Sequence, residues 1–132
     1  MELRPYSVVI ALILAIGGVL SAGAYSIPAD KLDPQKIFHG NAAKFEMPAR
    51  VNYQKIVKAT PEYSSIKKKK IVSGSAKYWI LISKASDRAQ RLIKEVGKET
   101  SYDFIVADGY LDTIEPAIEA DDVTELVLEK FK

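Results

Sequence analysis

Between Ala76 and Lys98, apolar side chains recur at Tyr78, Ile82, Ala85, Ala89, Leu92 and Val96, in steps of 4, 3, 4, 3 and 4 residues. An average spacing of 3.5 keeps one stripe of a helix against a neighbouring helix. Lys84, Arg88, Arg91, Lys94 and Lys98 fall off that stripe, which predicts a helix over 76–98 with a basic outer face. Gly97 is expected to loosen its end. A preceding helix is predicted from Pro61 to about Val72, because Thr60 can cap it and proline suits a first helical position. Ser73-Gly74-Ser75 lies between the two and reads as a turn. Residues 61–98 therefore read as a helical hairpin, with one continuous helix as the alternative.

Around this hairpin the pattern changes. Ala49–Tyr53, entered through Pro48, reads as a short strand, and Gln54–Ala59 as a short helix. Tyr102–Ala107 is the strongest strand, centred on Phe104, Ile105 and Val106. Asp108-Gly109 signals a turn, after which Tyr110 and Leu111 are expected to begin a second hairpin strand that ends before Pro116. Asp122 with Glu125 three residues on fits a capping box. It opens a final helix buried through Val123, Leu126, Val127 and Phe131. Residues 25–47, punctuated by Pro28, Pro34, Gly40 and Asn41, predict little regular structure beyond a turn after Asp33-Pro34. Their Ile37 and Phe38 are expected to dock on the body. A helical hairpin set between strands of one small sheet is an α+β fold.

The N-terminus has a different character. Arg4 precedes 13 apolar residues, Val8–Leu20, and Ala22-Gly23-Ala24 fits the small-x-small pattern of a signal-peptidase site. This predicts an exported chain, cleaved after Ala24. The alternative is an uncleaved inner-membrane anchor, for which 13 residues fall short of the ~20 that span a bilayer. The expected organisation is a signal peptide over 1–24, a leader or linker over 25–48 and a single domain over 49–132. Cleavage leaves 108 of the 132 residues, a size at which a single core is marginal and oligomerisation is a common remedy.

Charge is segregated along the chain. From Lys44 to Lys98 there are 14 Lys and Arg against 4 Asp and Glu; from Glu99 to Lys132 there are 2 against 10. A near-neutral total thus conceals a dipolar molecule. Its basic part suits acidic polypeptide, anionic lipid or lipopolysaccharide. Nucleic acid is not expected for an exported chain.

Catalytic chemistry is poorly supplied. No cysteine is present, and His39 is the single histidine, so thiolate, multi-histidine and paired-histidine sites are ruled out. Asp103, Asp108 and Asp112 lack the spacing of a calcium loop. Asp121-Asp122 reads as a cap rather than an acid/base pair. No serine sits in a nucleophile elbow, and no glycine loop cradles phosphate. Neither an enzyme, nor a cofactor, nor a bound metal is expected.

Three segments carry a resemblance. ARVNYQKIVKATPEYSSIKKKKI (49–71), with Asn52 at its strand end, is similar to the opening of the Skp/OmpH family of periplasmic chaperones. RLIKEVGKETSYDFIVADGYL (91–111) resembles that family's returning arm and its tyrosine-aspartate-apolar strand, and DDVTELVLEKF (121–131) its final helix. The resemblance runs from Ala49 to the end of the chain. It implies a periplasmic homotrimer whose strands form a central body. Helical arms, here about 61–98, hold unfolded outer-membrane or envelope proteins without ATP. The arms are much shorter than the family's: at ~1.5 Å per residue the two helices span only ~18 and ~35 Å. The leader is additional. A non-enzymatic structural or adaptor protein of an envelope complex, docking through its leader, is the alternative.

On this reading the client-binding residues are Tyr78, Trp79, Ile80 and Leu81. Tyr78 belongs to the apolar stripe, whereas Trp79, Ile80 and Leu81 face outward and call for a partner. Burial in the trimer or under the leader, or a buried strand over the same run, would account for them too. Lys67, Lys68, Lys69, Lys70, Lys77, Lys84, Arg88 and Arg91 form a basic surface, to steer acidic clients or to serve as an ordinary solvated face.

Overall fold

The structure, a computed structural model, describes residues 24–132. The expected export signal lies outside the described residues except for Ala24 itself. The chain is α+β, as its pattern predicts. Strand β3 (Phe104–Ala107) is central. It pairs antiparallel with β1 (Ile37–Gly40) and parallel with β2 (Pro48–Val51), and β2 pairs parallel with the two-residue β4 (Asp121–Asp122). Parallel neighbours need a long crossover. Helices α1 (Tyr53–Lys58), α2 (Pro61–Lys68) and α3 (Ala76–Glu99) supply it between β2 and β3. Helix α4 (Thr124–Leu128) closes the chain.

Successive strand residues point to opposite faces, and here both faces are covered. Ala49, Val51 and Ile105 join Phe38, Ile56, Ala89, Ile93, Val96, Val123 and Val127 on the helical side. Phe104 and Val106 point the other way, into a second cluster with Ile27, Phe45, Tyr110, Leu111, Ile114 and Ile118. A strand buried on both sides loses its polar alternation, which is why Phe104-Ile105-Val106 reads as an unbroken apolar run.

The second cluster revises the expected leader. Residues 25–48 form part of the body: they contribute the edge strand β1, a Tyr25–Phe45 bridge and the Phe45 ring, stacked 4.0 Å from Phe104. The Tyr110 hydroxyl donates to Lys31 O at 2.7 Å and accepts from Asp33 N at 2.9 Å, fixing the two short turns on either side of Leu32. Phe38 docks as expected, stacked on Tyr53.

Several element boundaries also move. The hairpin strand expected from Tyr110 does not form; Tyr110 leads into a single tight turn, Leu111–Thr113. Both edges of β3 are already taken by β1 and β2, so a hairpin partner has no place to pair. Asp122 and Glu125 do not form a capping box. Asp122 accepts from the backbone and hydroxyl of Thr124 at 2.9 and 2.6 Å, while Glu125 reaches Lys55 at 3.2 Å. Thr124 Oγ1 in turn accepts from Asn52 N at 2.9 Å, tying the start of α4 to the end of β2.

The turn expected at Ser73-Gly74-Ser75 is present, and the continuous-helix alternative is not. Helix α2 stops at Lys68, four residues early, with Lys70 at φ 52° and Ile71 N donating back to Ile66 O at 3.0 Å. This is the left-handed termination usual at helix C-termini. Ser75 then caps α3 by accepting from Tyr78 N at 3.2 Å. Helix α3 runs through Gly97 without loosening.

Candidate functional site

Helices α2 and α3 form a hairpin, held by the buried side chains Ile66 and Ala85 and by a two-pronged contact between Glu62 and Arg88. Arg88 Nε and Nη2 each donate to a Glu62 carboxylate oxygen at 2.8 Å. Those hydrogen bonds hold the Glu62 carboxyl below its ordinary value and raise the Arg88 guanidinium. The hairpin is shorter than the arm expected over 61–98. From Ala89 onward α3 is part of the core above the sheet, with Ile93 fully buried and Leu92 only partly so. Packing on a sheet rotates the buried stripe away from the strict 3.5 spacing. One chain supplies both buried clusters of the body.

The four aromatic and aliphatic residues at the start of α3 divide. Tyr78 and Leu81 are half-buried. Trp79 and Ile80 stay 59% and 55% exposed, with the Tyr78 and Trp79 rings edge to face at 5.1 Å. The run is helical, so its reading as a strand fails. The described part of the leader packs on the opposite face of the sheet and, through Phe38 and His39 of β1, against the body end of the helices, and it leaves Trp79 exposed. Val72, 73% exposed, adds to the same end of the hairpin.

The basic residues divide as well. Arg88 is engaged by Glu62 and belongs to the scaffold. Lys67, Lys68, Lys69, Lys70, Lys77, Lys84 and Arg91 are exposed and have no carboxylate partner among the described residues. The tip of the hairpin therefore combines an apolar pair with a cationic turn.

A second surface was not foreseen in the sequence. On the face of the sheet away from the helices lies a cleft of about 550 Å³, lined by Arg50, Tyr102, Asp112, Glu119 and Asp121 and edged by Met47 and Tyr25. Arg50 Nη1 is 2.9 Å from Asp108 and 3.6 Å from Asp122, and its Nε donates to Ala120 O at 3.2 Å. The hydrogen bond to Asp108 is the main reason its pKa is raised. The Thr124 hydroxyl and amide hold the Asp122 carboxyl low. Tyr102 donates to Asp121 at 2.7 Å, which pushes the phenol up and keeps it protonated. These contacts are structural and assemble no nucleophile with a base. The cleft draws on residues from Tyr25 to Asp121, with no local motif to announce it; the acidic bias of the last third of the chain was the one available signal.

The remaining candidates resolve into scaffold roles. Asp103 accepts from the amides of Glu46 and Met47 at 2.9 and 2.8 Å. His39 lies against Gly97. Among the described residues no cluster of His, Cys, Asp and Glu could hold a metal ion, and no helix is long and apolar enough to cross a membrane. Comparison with protein-family models, curated proteins and solved structures found no match.

Proposed function

We propose that the protein is a holdase-type, ATP-independent binding protein of the cell envelope, gripping unfolded polypeptides with the tip of the α2–α3 hairpin. The observation that carries this reading is the adjacent exposure of Trp79 and Ile80 on a well-formed helix. Apolar surface of this kind, bordered by charged side chains, favours a partner that can cover it. An unfolded chain offers such cover at any point along its length. The exposed lysines of the turn, Lys67 to Lys70, with Lys77 beside them and unpaired among the described residues, draw in acidic segments, a contribution that salt screens.

The resemblance to Skp/OmpH proteins supplies the frame in which paired helices approach a client and three subunits act together. Helix α3 is about 36 Å long, and its second half is committed to the body. The grip is therefore suited to a segment of client rather than to enclosing one. The adaptor alternative relied on the leader as a free docking peptide, and that segment is built into the core.

Aggregation suppression tests the proposal. The purified protein is expected to keep a denatured outer-membrane barrel soluble. The W79S/I80S variant should lose most of that protection while its melting temperature stays within a few degrees, since exposed substitutions usually change stability by less than ~0.5 kcal/mol. Absence of protection by the native protein in molar excess, or full protection by the variant, would refute it.

A further inference from the structure

We infer that the protein associates with itself head to tail, the Lys67–Lys70 turn of one copy seated in the acidic cleft of the next. The chain leaves two sets of charges unbalanced among the described residues. Within the cleft, Arg50 is already committed to Asp108, Asp122 and Ala120 O. Asp112, Glu119 and Asp121 line the same cleft and have no cationic partner among the described residues. At the hairpin tip, Lys67, Lys68, Lys69 and Lys70 are exposed and equally unpartnered. A cationic turn and an anionic recess on one molecule are complementary surfaces for two copies.

The turn bears a second mark. Lys70 holds φ 52°, the one described non-glycine residue at positive φ. Glycine is the usual residue where a helix ends this way, and a side chain there is strained. The sequence keeps a fourth charge where a glycine would relieve strain.

One copy cannot satisfy both surfaces. Tyr102, which lines the cleft, follows the C-terminus of α3 by three residues, and the lysine turn precedes its N-terminus. The helix between them is about 36 Å long, and the cleft opens on the opposite face of the sheet. A neighbouring copy meets no such obstacle. The surfaces also match in apolar content. Val72 stands beside the turn, and Met47 and Tyr25, 44% and 41% exposed, edge the cleft. A contact between two different patches closes into a ring or extends into a filament.

Sedimentation velocity at low and high ionic strength tests this with two charge-reversed variants, K68E/K69E/K70E and D112K/E119K. Their folding is checked by circular dichroism. The native protein is expected to sediment above monomer mass at low salt and to dissociate as salt rises. Each variant alone should associate about tenfold more weakly or worse. Mixing the two should restore association, because each reversed patch then meets its complement. A native monomer at low salt, a mass indifferent to salt or to either reversal, or a mixture no heavier than its components would overturn the inference. Loss of client or anionic-vesicle binding in K68E/K69E/K70E with self-association intact would overturn it too, giving the turn to another partner. Failure here leaves the holdase reading standing, since that rests on Trp79 and Ile80.

Discussion

Gly97 shows how a single missing side chain positions a layer of this fold. A Cβ built on it would lie 2.4–2.6 Å from ring atoms of His39, so β1 can pack on α3 only where the helix carries no side chain. In an isolated helix, Gly→Ala stabilises by up to ~1 kcal/mol. Here G97A is expected to destabilise by about 1–3 kcal/mol through overpacking. In an H39A background the sign should reverse, and paired urea denaturation curves would show it. Gly40 is a similar case: its φ is +99° and a Cβ would fall 2.1 Å from Asp103 O. The sequence presents both glycines as breakers; only the tertiary contact reveals them as points of close approach.

At the scale of elements, the hairpin depends on one partly buried ion pair. Glu62 is titrated below its ordinary value of 4.5 by Arg88. Its contribution is thus fully present above that pH and is lost as pH falls through the lower folded value. E62Q should cost roughly 1 kcal/mol at neutral pH, and the difference from native protein should shrink as acid protonates the Glu62 carboxyl. Chemical denaturation across that range would record the convergence. The hairpin itself was legible in the sequence because Thr60-Pro61, Ser73-Gly74-Ser75 and the apolar stripe are local signals. Its working length was not: whether Ala89 and Val96 face a helix or a sheet is decided by the sheet that β3 forms with β1 and β2, and those two strands lie about 40 to 50 residues before Ala89 in the chain. Tyr110 and Leu111 misled for the same reason, since their turn is dictated by the occupied edges of β3. Of the candidate site, the apolar run at Tyr78–Leu81 was visible, but the exposure of Trp79 and Ile80 rather than Leu81 follows from the rotation of α3 on the body.

The whole molecule is a sheet buried on both faces, and the segment before Met47 is one of its layers. Ile27 and Phe45 announced nothing in the sequence because single apolar residues among prolines and glycines have no period. Phe45 is 1% exposed and stacked on Phe104. F45A should therefore cost about 3–5 kcal/mol, where a free docking peptide would tolerate the change. The opposite face carries the hairpin, and with it the proposed grip. Trp79 is the single tryptophan of the chain, so its fluorescence reports on that tip alone. Titration with a tryptophan-free, permanently unfolded polypeptide is the most direct measurement. Red-shifted emission is expected from the free protein and a saturable blue shift on binding, as apolar contact replaces water. Binding detected by another method with the Trp79 spectrum unchanged would contradict the proposed grip.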